Sequence, residues 1–172
     1  ANEILQERGR PRADIFIATE AGVCEILARE GLLEPYASPG ARAIPAEHKS
    51  ARGLWTGISG RARVIIYNKD LVKHAEIPNS ILDLTETKWK GKVAMAGTRE
   101  RTTLAWLSAL LEAMGEAKAK AYIDKLLENG LKILPDNSDV WRGVGSGEFA
   151  VGLTNSPNYH LALKAGLPVG VV

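Results

Sequence analysis

Short apolar runs alternating with amphipathic stretches are the feature that most restricts how this sequence can fold. The apolar runs are residues 13–18, 61–67, 93–96, 131–134, 149–153 and 168–172, and helix-like segments of roughly ten to fourteen residues separate several of them. A parallel strand pair needs a crossover long enough to hold a helix, so this alternation predicts an α/β fold with mostly parallel pairing. The chain has 172 residues, 45% of them hydrophobic and 24% charged. That is enough for one core-forming domain or slightly more, and too apolar for disorder.

Helices are predicted over residues 2–8, 20–30, 102–114, 116–129, 137–145 and from Ser156-Pro157 to Gly166. Their apolar stripes are Val23, Ile26 and Leu27 in the second, Leu104, Leu107, Leu110 and Leu111 in the third, and Tyr122, Ile123, Leu126 and Leu127 in the fourth. Gly31, Gly130 and Gly166 follow the last turns, where glycine most readily takes the left-handed conformation that ends a helix. Residues 61–67 alternate so that Arg61, Arg63, Ile65 and Tyr67 share one strand face.

Lysine plus arginine (22) against aspartate plus glutamate (20) leaves a net charge of +2, so no nucleic-acid partner is expected. A lone Cys24, expected buried and inert, excludes an internal disulfide, and His48, His74 and His160 lack zinc-ligand spacing. The first residues read as a helix already under way and the last as a strand cut short. The sequence is therefore expected to be a piece of a longer chain.

In an open α/β sheet, ligands bind beyond the carboxyl ends of the strands. Glu20, Thr98, Arg99, Thr102, Asn137, Asn155 and Ser156 sit at such ends or in the helix turn that follows. Two readings stay open for each: the side chain caps a helix, or it joins backbone N–H groups in holding an anion. Arg61 and Arg63 lie on a strand that otherwise looks buried, and a buried arginine requires a carboxylate or a ligand. Trp89 and Trp106 suit packing, and His160 lies near the proposed ligand position. No nucleophile elbow, phosphate loop, dinucleotide loop or paired carboxylate is present, so binding is favoured over catalysis.

The combination Gly60-Arg61-Ala62-Arg63-Val64 with Tyr67-Asn68, Leu82-Asp83-Leu84-Thr85 with Trp89-Lys90-Gly91-Lys92, Pro135-Asp136-Asn137-Ser138 and Gly152-Leu153-Thr154-Asn155 resembles the ferric-iron-type solute-binding proteins of ABC importers. The resemblance implies a two-lobed, periplasmic-binding-protein-like (type II) α/β fold, present here as a fragment with a nearly complete second lobe. Residues 1–60 would be a partial first lobe, 61–155 the second lobe with its crossing strands, and 156–172 a truncated return to the first. It also implies an extracytoplasmic protein, lipid-anchored or secreted, that captures ferric iron or a small anionic solute between the lobes and delivers it to a membrane permease. A regulatory ligand-binding domain and a transferase on the same scaffold are the alternatives.

By the same resemblance, the helix start at Thr98–Thr102, Asn137 and Asn155 would bind a synergistic anion or ligand oxygen, and Glu20 would face a metal. Iron-holding members of the family follow the asparagine with His-Tyr-Tyr. This chain has Ser156-Pro157-Asn158-Tyr159-His160 instead, which leaves Tyr159 as the candidate phenolate for Fe(III). A fragment of such a fold is expected to self-associate through Ile15, Ile17 and the strand at 169–172.

Overall fold

In the computed structural model, which describes residues 2–172, every named strand lies beyond Gly60. The chain divides there into two units, the second running from Arg61 to Val172.

The first unit contains helices α1 (Asn2–Gln6) and α2 (Ala21–Arg29) and two short 3-10 turns. It buries Leu27, Ala28 and Ala41 and is tied further by polar contacts. The Trp55 indole donates to Glu25 at 2.6 Å, Arg8 pairs with Glu30, and the Lys49 ammonium donates to the Ala41 carbonyl. The strand expected at 13–18 does not form. These residues find no ladder partner, and Ile15 and Ile17 remain 81% and 76% exposed; an apolar run becomes a strand only when a neighbouring strand takes its backbone hydrogen bonds. Cys24 is half-buried rather than buried, and desolvation, aided by the charge of Glu25, pushes its thiol up from the ordinary value.

The second unit comprises β1 (Arg63–Asn68), β2 (Val93–Ala96), α3 (Arg101–Met114), α4 (Glu116–Glu128), β3 (Lys132–Leu134), α5 (Asn137–Gly145), β4 (Val151–Asn155), α6 (Ser156–Lys164) and β5 (Val169–Val171). The sheet order is β3-β2-β4-β1-β5. β2 runs parallel to β3 and to β4, whereas β1 is antiparallel to both β4 and β5. Four strands therefore share one direction and β1 alone opposes them, so the expectation of mostly parallel pairing is corrected to two parallel and two antiparallel ladders. The reason lies in the connections. Helices link β2, β3, β4 and β5 in turn and hold them to one direction, while β1 leads to β2 through irregular chain and 3-10 turns that impose no such crossover.

Each face of the sheet carries its own core. Ile65, Val93, Met95, Val151 and Leu153 pack with Leu84, Trp89, Leu110, Tyr122 and Leu126 on one side. Ile66, Ala94 and Val169 pack with Val144, Phe149 and Ala162 on the other. Gly152 belongs to the second face. A Cβ there would stand 2.7 Å from Val140 Cγ1 and 3.0 Å from Val144 Cγ2, so its missing side chain is what lets α5 lie close against β4.

Two helix stripes are rotated from the predicted ones. Leu104 and Leu111 of α3 and Leu127 of α4 are about half exposed, while Thr103, Leu110, Ala119, Tyr122 and Leu126 turn inward. Packing chose the face that meets both the sheet and the partner helix, and in α3 that face includes a threonine. Residues 156–172 lie within the second unit, where β5 pairs along β1. No described helix is long and apolar enough to cross a membrane.

Candidate functional site

Five polar residues of the described chain are buried: Asn68, Thr103, Asn137, Thr154 and Asn155. Asn68 serves the fold by donating to the Val144 carbonyl at 2.8 Å. The other four meet in one cluster around Arg63, and elementary topology explains why. β2, β3 and β4 are parallel, so their carboxyl ends emerge together, carrying respectively the start of α3, the start of α5, and Thr154-Asn155. β1 begins at the same edge because it is antiparallel to β4, with Arg63 directly opposite Asn155 in the ladder.

The hydrogen bonds run as one network. Arg63 Nη1 donates to Asn137 Oδ1 at 3.0 Å and to Asn155 Oδ1 at 3.3 Å, and Nη2 donates to Thr103 Oγ1 at 3.5 Å. Thr103 in turn donates to the Ala96 carbonyl, and Thr154 Oγ1 donates to Asn137 Oδ1. The amide nitrogens of Asn137 and Asn155 both donate to Thr102 Oγ1 at 3.2 Å, and Asn137 Nδ2 also donates to Glu100 Oε2 at 2.9 Å. Both asparagines thus turn oxygen toward the cation. Trp106 lies beneath the guanidinium, 5.7 Å from ring centroid to Cζ, close enough for a cation–π contact.

Neutral oxygens surround Arg63, yet no carboxylate among the described residues stands within ion-pair reach of it. Its Nε is buried without any partner. Burial pulls its pKa below the ordinary arginine value while the negative charge of Glu100 opposes the shift, and the group remains charged at neutral pH. A largely desolvated cation with a free donor and no ion-paired carboxylate is a site that an anion would complete. The nearby start of α3 adds to this, since its N-cap residue, Glu100, makes no side-chain cap, and of the first-turn amides it is that of Thr103 that turns back to the Glu100 carbonyl.

Of the residues singled out by sequence, the structure brings together Arg63, Thr102, Asn137 and Asn155. Neither Thr98 nor Thr102 caps α3, and Asn137 does not cap α5. That cap is Asp136, whose Oδ1 accepts from the Ser138 and Asp139 N–H groups at 2.6 and 3.0 Å, which frees the Asn137 side chain for the cluster. Thr98, Arg99 and Arg61 are exposed and make none of the cluster's hydrogen bonds. Ser156 Oγ accepts from the Ala62 N–H at 3.2 Å, tying β1 to the start of α6. Tyr159 packs against the Ile66–Val144–Phe149 core, on the sheet face opposite Arg63 and its neighbour Ile65. Glu20 lies in the first unit at the N-cap position of α2, and its side chain makes no capping hydrogen bond. Glu100 escapes a sequence reading because, between Arg99 and Arg101, it resembles any solvated charge. Trp106 reads as packing alone. Among the described residues no three His, Cys, Asp or Glu side chains gather closely enough to hold a metal ion.

Comparison with known proteins bears on the family and the fold. The family model described as bacterial extracellular solute-binding protein matches residues 10–156. The Fe(3+)-binding periplasmic protein of Serratia marcescens is 28% identical over 152 residues, 88% of this chain and 44% of that protein. The major ferric iron-binding protein of Neisseria meningitidis is 28% identical over 165 residues, 93% of this chain and 48% of that protein. Among solved structures, iron-bound HitA from Pseudomonas aeruginosa superposes with a TM-score of 0.85 at 27% identity, covering 99% of this chain and 56% of that one. The Trichodesmium protein IdiA (FutA), in complex with iron and citrate ligands, gives 0.81 at 27% identity, with coverages of 99% and 57%. The chain spans about half the length of the curated relatives it matches. Its fold is α/β, of the two-lobed periplasmic-binding type. The family match takes in β1, both helix-bearing crossovers up to β4, and every residue of the Arg63 cluster; the chain belongs to the bacterial extracellular solute-binding proteins.

Proposed function

We propose that this chain is the ligand-capturing part of an ABC importer's solute-binding protein and that the Arg63 cluster holds a small oxyanion. The observation that carries this reading is the half-buried Arg63, whose Nε is buried and unpartnered and which has no carboxylate among the described residues in ion-pair reach. Residues 1–60 belong to the first lobe and 61–155 to the second, with 156–172 leading back along β1. The protein works outside the cytoplasm, lipid-anchored or secreted, and hands its solute to a membrane permease rather than transforming it. The exposed Thr98, Arg99 and Arg61 form the rim of the site, where charge speeds encounter more than it holds ligand. The names of the relatives favour a second reading, in which the oxyanion is the synergistic partner of Fe(III) and Tyr159 or Glu20 supplies a donor.

Titration calorimetry of the intact protein with inorganic phosphate tests the site. Asn137→Ala is expected to weaken phosphate binding about tenfold, because one polar group that orients the guanidinium is lost. An affinity unchanged by that substitution, with stability reduced, would make the cluster a structural polar core. Self-association is the second expected property. With Ile15 and Ile17 exposed and Val171 and Val172 partly so, the 172-residue chain should form dimers or larger species at high micromolar concentration. Light scattering that shows a monomer there would rule this out.

A further inference from the structure

Among the described residues Glu100 is the one carboxylate that hydrogen-bonds into the cluster, and a negative charge on the wall of an anion site works against most anions. Its position is built rather than incidental. Asn137 spans the two charges with a single amide, its oxygen taking the Arg63 donor at 3.0 Å and its nitrogen giving to Glu100 Oε2 at 2.9 Å. Glu100 is half-buried, makes no cap to α3 and has no ion pair of its own. Two carboxylate oxygens offer about four acceptor positions, and Asn137 uses one.

Resting on the oxyanion reading above, we propose that Glu100 is a specificity-determining residue that selects oxyanions carrying their own proton. Arg63 would take the ionised oxygens of the ligand while Glu100 accepts a hydrogen bond from its remaining acid proton. Phosphate-type anions keep such a proton near neutral pH. Sulfate-type anions have none, and they would face the carboxylate with bare oxygen. A hydrogen bond to a charged acceptor is among the stronger ones, and uncompensated like charges at close range are strongly unfavourable, so the two effects add in the same direction.

Calorimetric titration of the intact protein with inorganic phosphate and with sulfate reads this directly. The wild type is expected to bind phosphate about a hundredfold more tightly than sulfate. Glu100→Gln keeps an acceptor for Asn137 Nδ2 and so preserves the network, but removes the charge. It should improve sulfate binding about tenfold and weaken phosphate binding, so that most of the preference disappears. Glu100→Asp retains the charge and should continue to reject sulfate. A preference unchanged by Glu100→Gln overturns the proposal, as does an equal gain for both anions, which would make Glu100 a general counter-charge. If the wild type binds both anions equally and Arg63→Met abolishes both, the oxyanion reading stands and only the role of Glu100 falls. If the wild type binds neither, both fall together.

Discussion

Arg63→Met is expected to weaken oxyanion binding about a hundredfold and to leave the stability of the ligand-free fold within about 1 kcal/mol. The two halves of this result come from the same desolvation. In the ligand-free state the guanidinium is held out of water by Trp106 and the asparagines, with hydrogen bonds to neutral oxygens and no carboxylate in ion-pair reach. Methionine has similar length and no desolvation cost, which offsets the loss of those hydrogen bonds. Once an anion is bound the balance reverses, because the charge now makes one or two charge-assisted bonds, each contributing roughly 1.5–3 kcal/mol. Equilibrium denaturation beside phosphate titration separates the effects. A loss of several kcal/mol in stability with affinity intact would show that Arg63 holds the strand ends together and binds nothing. Exposed Arg99 is the internal control, and Arg99→Ala should change affinity no more than about threefold.

Ferric titration of the intact protein is expected to give no visible tyrosinate-to-iron charge-transfer band. Fe(III) is a hard ion that favours ionised oxygen donors, and the positions after Asn155 offer none in place. Ser156 Oγ is engaged by the Ala62 N–H, Pro157 has no donor, and Asn158 is a neutral amide. Tyr159 does carry a phenol, but its ring packs into the core on the far face of the sheet from Arg63. Bringing it to the cluster would open that packing and give up the apolar contacts of its half-buried ring. A purple-red band that develops on adding ferric citrate and vanishes in Tyr159→Phe would refute this and restore iron as the cargo.

Much of the second unit was legible along the chain because its signals are local. Asn137–Gly145 was bounded by cap chemistry on one side, Ser156-Pro157 opened α6, and Gly130 takes φ +76° just after α4 as the stop rule requires. The apolar run at 93–96 became β2, whose burial on both faces leaves a continuous apolar stretch in the sequence, whereas 131–134 became the edge strand β3, with Lys132 and Ile133 exposed. Residues 13–18 carry that same local signal and formed no strand, since pairing depends on a neighbour that no local pattern specifies.

At the site the division is sharper. Residue chemistry alone placed Asn137, Asn155 and Thr102 at strand ends, and made Arg63 a cation in need of a partner. Only the tertiary structure decided that Asp136 takes the cap and releases Asn137, that Arg63 lies opposite Asn155, and that Arg61 and Arg99 stay in solvent. Glu100 has no sequence signature at all. It joins the cluster because β2 and β3 are adjacent and parallel, so the turn before α3 meets the first residue of α5. Which polar groups come together is a property of strand order and direction, and those are set by non-local pairing that a one-dimensional pattern does not contain.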